Sequence, residues 1–71
     1  IMKTLIQQAG DYSLHVDLDT VEVTDGVRVR FVTHYQSARF PEDPQTKLDI
    51  HMSKQEFAVL CRTLSVFSVQ N

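Results

Sequence analysis

Hydrophobic and polar side chains alternate along residues 12–18. The apolar positions are Tyr12, Leu14, Val16 and Leu18, and the polar positions between them are Ser13, His15 and Asp17. A period of two is typical of a β-strand with one buried face and one face in water. Residues 3–8, KTLIQQ, predict a weaker strand, and a hairpin with residues 12–18 is one pairing open to it. The pattern leaves open whether residues 2–8 pair within the chain or reach another copy.

The dipeptide Asp25-Gly26 predicts a tight turn between two strands. A two-residue turn would place valines and arginines on the same face, so we expect a three-residue turn, 24–26, in which Gly26 has a positive φ. This turn predicts three cross-strand pairs: Val23–Val27, Val21–Val29 and Glu22–Arg28. Because a β-branched residue resists positive φ, Gly26→Val is expected to be destabilising.

The second half of the chain predicts one loop and one further strand. The strand that begins at Val27 is expected to end near Tyr35. A Pro-rich loop, RFPEDPQTK, is predicted over residues 39–47, because its two prolines cannot donate to a sheet. Residues 47–52, KLDIHM, alternate again and predict the last strand.

After Met52 the hydrophobic period changes to 3.6. Ser53 and Glu56 have the spacing of a capping box, which predicts a helix over about residues 54–68. Its apolar stripe is expected to lie on the sheet and consists of Phe57, Leu60, Cys61, Leu64 and Phe67. Together these elements predict one α+β domain over residues 1–71, with its strands within 2–52. The expected fold is an antiparallel meander sheet of four or five strands, packed on one face by a single C-terminal helix.

The length and charge of the chain make some classes of function less favoured than others. A chain of 71 residues has a thin core, so homodimerisation is one way for it to bury more apolar surface. The formal net charge of −2 disfavours binding to nucleic acid by bulk electrostatics. One cysteine cannot form an intramolecular disulfide, and no apolar run approaches the roughly 20 residues of a membrane helix. We expect a cytoplasmic protein that does not enter a membrane.

The sequence contains no arrangement typical of catalysis, so we expect no enzyme and no cofactor. Both glycines are assigned to turns, which leaves no phosphate-binding loop. Cys61 lies in the apolar stripe, where burial makes a thiol unreactive. His15, His34 and His51 share the predicted polar face and could bind a metal together with carboxylates, but none of them forms a short-spaced ligand pair. We predict no metal site.

One row of helix residues has no intramolecular role in the predicted fold. Val59, Thr63 and Val66 project roughly opposite the stripe that packs on the sheet. A row of β-branched side chains on a surface helix often marks a contact. We therefore expect this helix outer row to bind either a second copy or another protein.

The alternative binding surface is a row of cations on the outer sheet face. Arg28, Arg30 and His34, with Arg39 nearby, could hold a single-stranded nucleic acid by phosphate contacts and stacking on aromatic rings. Acidic residues on the same predicted face, Asp17, Glu22 and Asp49, would partly neutralise these arginines. Nucleic-acid binding is therefore the less favoured hypothesis.

The leading hypothesis is a small non-enzymatic interaction or regulatory protein, an adaptor or an inhibitor, that works by binding a protein partner. Small acidic proteins of this kind are frequent among phage and mobile-element accessory factors, which makes that class one expectation for this chain. The identity of the partner does not follow from the sequence.

Overall fold

A computed structural model describes residues 1–37 and 44–71, and these residues form four strands and one helix. The elements are β1 (Met2–Ala9), β2 (Tyr12–Val21), β3 (Gly26–Tyr35), β4 (Gln45–Ser53) and α1 (Lys54–Gln70). The strands form one antiparallel sheet in the order β1-β2-β3-β4. The predicted α+β fold, a meander sheet with one C-terminal helix, is confirmed. Residues 2–8 pair within the chain, with β2.

The two faces of the sheet follow from the period-two pattern. On the face toward α1, called the inner face, Leu18, Val29 and Ile50 lie side by side in one cross-strand row. On the other, outer face, Asp17 pairs with Arg30 in the neighbouring row. In β1 the register shifts between Leu5 and Gln7. The extra residue, Ile6, lies against the same cleft as the inner-face residues Val16 and Leu18.

The predicted turn between β2 and β3 is wrong. Val21 is paired with Gly26 and Leu18 with Val29, so the connecting loop has four residues, 22–25. The predicted pairs Val21–Val29, Val23–Val27 and Glu22–Arg28 do not form, and Val23 is exposed. In the predicted register, Asp19 would have stood opposite Phe31 on the apolar face. The observed register keeps that carboxylate off the apolar face. The pairing of the two long strands therefore determines the register and outweighs the local turn signal.

The positive φ of this turn occurs at Asp25, where φ is 53°, and not at Gly26. Aspartate tolerates the left-handed region better than most residues, and the Asp25 N–H donates to the Glu22 carbonyl at 3.2 Å. Gly26 is needed for a different reason. A Cβ at this position would lie 2.7 Å from the carbonyl oxygen of Met52 on β4.

Gly26→Ala is therefore expected to lower the free energy of unfolding by about 1–3 kcal/mol, because the added methyl group overlaps the backbone of β4. Gly10→Ala is the matched control. Gly10 has a φ of 61° but nothing within 4 Å of an added Cβ, so only the left-handed conformation costs energy, about 1–2 kcal/mol. Urea denaturation of both variants measures the difference. The steric explanation fails if Gly26→Ala unfolds at the same urea concentration as the wild type.

The predicted start of the helix is confirmed. Ser53 is the N-cap, the Glu56 N–H donates to the Ser53 hydroxyl at 3.1 Å, and the Ser53 N–H donates to the Glu56 carboxylate at 2.8 Å. The helix extends to Gln70, two residues beyond its predicted end. The predicted Pro-rich loop is wrong over residues 45–47, which belong to β4. The part of that loop over residues 39–43 lies outside the described residues.

The helix covers little of the inner face. Among the described residues, Val27 and Val29 are the only buried apolar side chains, and α1 contains no buried residue. Phe57 and Leu60 are half-buried, whereas Cys61 is exposed, so the predicted burial of this thiol is wrong. The stripe loses contact with the sheet toward the C-terminal half of α1. The radius of gyration is 14.3 Å, whereas compact domains of this length have about 11 Å.

Candidate protein-binding surfaces

The outer sheet face carries charges of alternating sign. One cross-strand row runs from Lys3 through Asp17 and Arg30 to Asp49. The adjacent row contains Asp19, Arg28 and His51, and the terminal amine of Ile1 lies 3.6 Å from Asp19. Opposite charges on neighbouring strands stabilise each other. The face therefore has little unbalanced charge.

Arg28 is held by Asp49 in a bidentate pair. Its Nε donates to Oδ1 at 2.8 Å and its Nη2 to Oδ2 at 2.5 Å. This hydrogen-bonded pair lowers the pKa of Asp49 and raises the pKa of Arg28 from their ordinary values. The sequence had predicted Glu22 as the partner of Arg28, and that prediction is wrong because the register places Asp19 opposite Arg28.

Arg30 is paired with a buried carboxylate. Its Nη2 lies 3.5 Å from Oδ2 of Asp17, a side chain that is only 5% exposed. Oδ1 of Asp17 is buried and has no hydrogen-bond partner among the described residues. Arg28 and Arg30, two of the three arginines of the predicted nucleic-acid surface, are thus both engaged by carboxylates. Arg39, the third, lies outside the described residues.

The three histidines lie on separate rows of the sheet. His15 stands opposite Val32, His34 opposite Ser13 and His51 opposite Arg28. His34 is half-buried, and its Nε2 has no hydrogen-bond partner in the described part of the chain. Within residues 1–37 and 44–71, no group of three histidine, cysteine or acidic side chains is close enough to hold a metal ion.

The helix outer row lies beside the edge of the sheet. Val59 and Thr63 are exposed and line a groove together with Ile50 and Met52 of β4. The Thr63 hydroxyl donates to the Val59 carbonyl at 2.8 Å, so this polar group already has a partner. Val66, the third residue of the row, lies farther along α1 against Ser65, Val69 and Gln70. The structure therefore brings two of the three predicted residues together in one groove.

This β4–α1 groove is a largely apolar cleft at the β4 edge of the inner face. It has a volume of about 490 Å³, and its lining residues are Ile50, His51, Met52, Glu56, Val59, Leu60 and Thr63. It borders an edge strand, since β4 pairs with β3 on one side and with no other strand of the described chain on its free side. Sequence reasoning missed the groove because the hydrophobic pattern does not show which strand the helix follows.

The second cleft, called the β1-side cleft, lies on the other side of α1. It has a volume of about 380 Å³ and is lined only by apolar side chains: Ile6, Val16, Leu18, Val29, Phe31, Phe57, Leu60, Cys61 and Leu64. Leu60 borders both clefts, so α1 divides the inner face into two parts. An apolar cleft of this kind favours other apolar groups as ligands.

No helix of the described residues has the length and hydropathy needed to cross a membrane. Comparison with known proteins identifies no relative: no family model matches this chain, and no curated protein or solved structure matches it at a significant level.

Proposed function

We propose that this chain is a small non-enzymatic protein-binding protein, an adaptor or an inhibitor, that holds an extended segment of its partner along β4. The observation that supports this function is the position of the β4–α1 groove directly beside the free edge of a nine-residue strand. A free strand edge provides backbone donors and acceptors, and the neighbouring groove provides apolar contacts.

The proposed binding mode is addition of a strand. An extended segment that pairs with β4 presents successive side chains to opposite faces of the enlarged sheet. Side chains that point to the inner face would meet Ile50, Met52 and Val59 in the groove. Backbone hydrogen bonds would supply affinity for many sequences, whereas the groove would select apolar residues at every second position.

The outer face of β4 determines which partner side chains are favoured on that side of the sheet. Along β4, Asp49 and His51 alternate with the inner-face residues Leu48, Ile50 and Met52, and Asp49 is already neutralised by Arg28. Residues of the partner that point to this side would meet a polar surface of mixed charge. We therefore propose a partner segment with alternating aliphatic and polar side chains.

The nucleic-acid alternative has less support. Phosphate contacts by Arg28 and Arg30 would have to replace the ion pairs with Asp49 and Asp17. A nucleic-acid complex of this kind would weaken steeply with salt, whereas a strand-addition complex held by apolar and backbone contacts would change little.

The test is selection of binding peptides from a library of random extended segments, followed by affinity measurement with single variants. Val59→Asp places a charge in the groove and is expected to weaken binding roughly 10- to 100-fold. Val69→Asp is the matched control, because Val69 is exposed on the same helix but outside the groove. Introducing proline at alternate peptide positions should abolish binding only where the peptide amide donates to β4.

Hydrogen exchange gives an independent result, since the outward-facing backbone amides of β4 should become protected when the peptide binds. The proposal is wrong if the selected ligands bind Val59→Asp as well as they bind the wild type. It is also wrong if their affinity is lost in the double variant Arg28→Glu, Arg30→Glu and falls steeply with salt.

A further inference from the structure

The chain itself leaves uncovered both the β1-side cleft and the part of the apolar stripe of α1 that continues from it at Leu64 and Phe67. Leu64 lines the cleft and is 59% exposed, and Phe67, one turn beyond it on the same stripe, is 66% exposed. Met2 and Ile6 on β1 are exposed apolar side chains as well. The amphipathic stripe of α1 is thus longer than the part of it that packs on the sheet.

The exposed area is too large for a compact monomer of this mass. The chain has a solvent-accessible surface of 5654 Å² and a mass of 8.2 kDa. Compact monomers of that mass expose about 4,500 Å², so the excess is about 1,100 Å². Stable protein–protein interfaces bury about 800 Å² per partner. The excess is larger than the area that one protomer buries in such an interface, so the chain exposes enough surface to form a stable dimer.

We infer that a second copy of this chain packs on the β1-side cleft, related to the first by a two-fold axis. A two-fold interface uses the same surface on both chains, so that surface must be complementary to itself. The cleft is an apolar depression, and Leu64 and Phe67 project from the helix that forms its wall. In the dimer, the projecting residues of each helix pack against the sheet and helix of the other chain.

The thin core favours a second copy over a transient partner as the occupant. With Val27 and Val29 as the only buried apolar side chains in the described chain, the fold needs further burial whenever it is formed. A second copy satisfies this need without any other protein. The contact uses the cleft on the β1 side of α1 and leaves the β4–α1 groove open, so this inference does not depend on the proposed function.

The test is the solution mass of the purified full chain, by light scattering or sedimentation equilibrium. We expect about twice the protomer mass of 8.2 kDa for the wild type. Phe67→Asp should raise the dissociation constant about 30-fold or more, since it replaces an exposed apolar side chain of the proposed interface with a charge on both copies. Val69→Asp, a change of the same kind at an exposed position outside the cleft, should leave the mass unchanged.

Two wild-type measurements keep the inference testable if Phe67→Asp does not fold. Cys61 lines the cleft and is exposed in the protomer, so dimerisation should slow its reaction with a thiol reagent as the protein concentration rises. The melting temperature should rise with concentration, because dimer formation stabilises only folded chains. A wild type that has the monomer mass, reacts rapidly at Cys61 and melts independently of concentration overturns the inference, whatever the groove binds.

Discussion

Val29→Asp is expected to leave the chain unfolded at room temperature. Val29 is 5% exposed and lies in the middle of the inner face, between Leu18 on β2 and Ile50 on β4. An aspartate there would place a carboxylate among apolar side chains with no counterion. The cost of an unpaired buried charge is several kcal/mol, which is similar to the whole stability of a domain this small, about 3–5 kcal/mol.

Val23→Asp is the matched control for this substitution. Val23 is an almost fully exposed valine in the loop between β2 and β3, so its replacement should change the free energy of unfolding by no more than about 0.5 kcal/mol. Far-ultraviolet circular dichroism and urea titration measure both variants. A Val29→Asp protein with wild-type spectrum and midpoint would show that this row of the sheet is not the core.

Arg30→Met is expected to produce the second large effect, because it leaves Asp17 buried without its cation. The side chain of Asp17 is 5% exposed and that of Arg30 27% exposed. Removing one member of a fully buried ion pair costs about 3–5 kcal/mol, and the partial exposure of Arg30 lowers our expectation to about 2–4 kcal/mol. Urea denaturation of the single variant measures this loss.

The double variant Asp17→Val, Arg30→Met should recover most of the lost stability, since apolar residues in place of both charges leave no buried carboxylate unpaired. Lys3→Met is the matched control: Lys3 stands opposite the same aspartate but is exposed, and its loss should cost no more than about 1 kcal/mol. If Arg30→Met is as mild as Lys3→Met, the ion pair contributes little to the fold.

The parts of the fold that rest on local chemistry could be predicted from the sequence. The alternation in residues 12–18 defines which side of β2 is apolar, and the spacing of Ser53 and Glu56 identifies the first turn of the helix. The β2–β3 turn could not be predicted in this way. Its Asp25-Gly26 signal is local, whereas the register depends on matching two ten-residue strands along their whole length.

The candidate surfaces depend on how α1 packs against the sheet, and the hydrophobic pattern of the sequence does not determine that packing. Helical spacing shows that Leu60 and Leu64 share a stripe, but it does not show how closely that stripe follows the sheet. In the structure Leu60 is half-buried and Leu64 exposed, which also explains why Cys61 between them is accessible. The sequence does not show that Val59 and Thr63 line a groove, because this depends on β4 being the edge strand next to α1.

The position of α1 after the sheet in the chain has a consequence for protein synthesis. The first three strands end at Tyr35, and the helix that covers part of the inner face ends at Gln70. Ribosomes add about 5–20 residues per second, so roughly 2–7 s separate the two events. During that interval the apolar side chains of the first three strands lack even the partial cover that α1 provides in the folded chain.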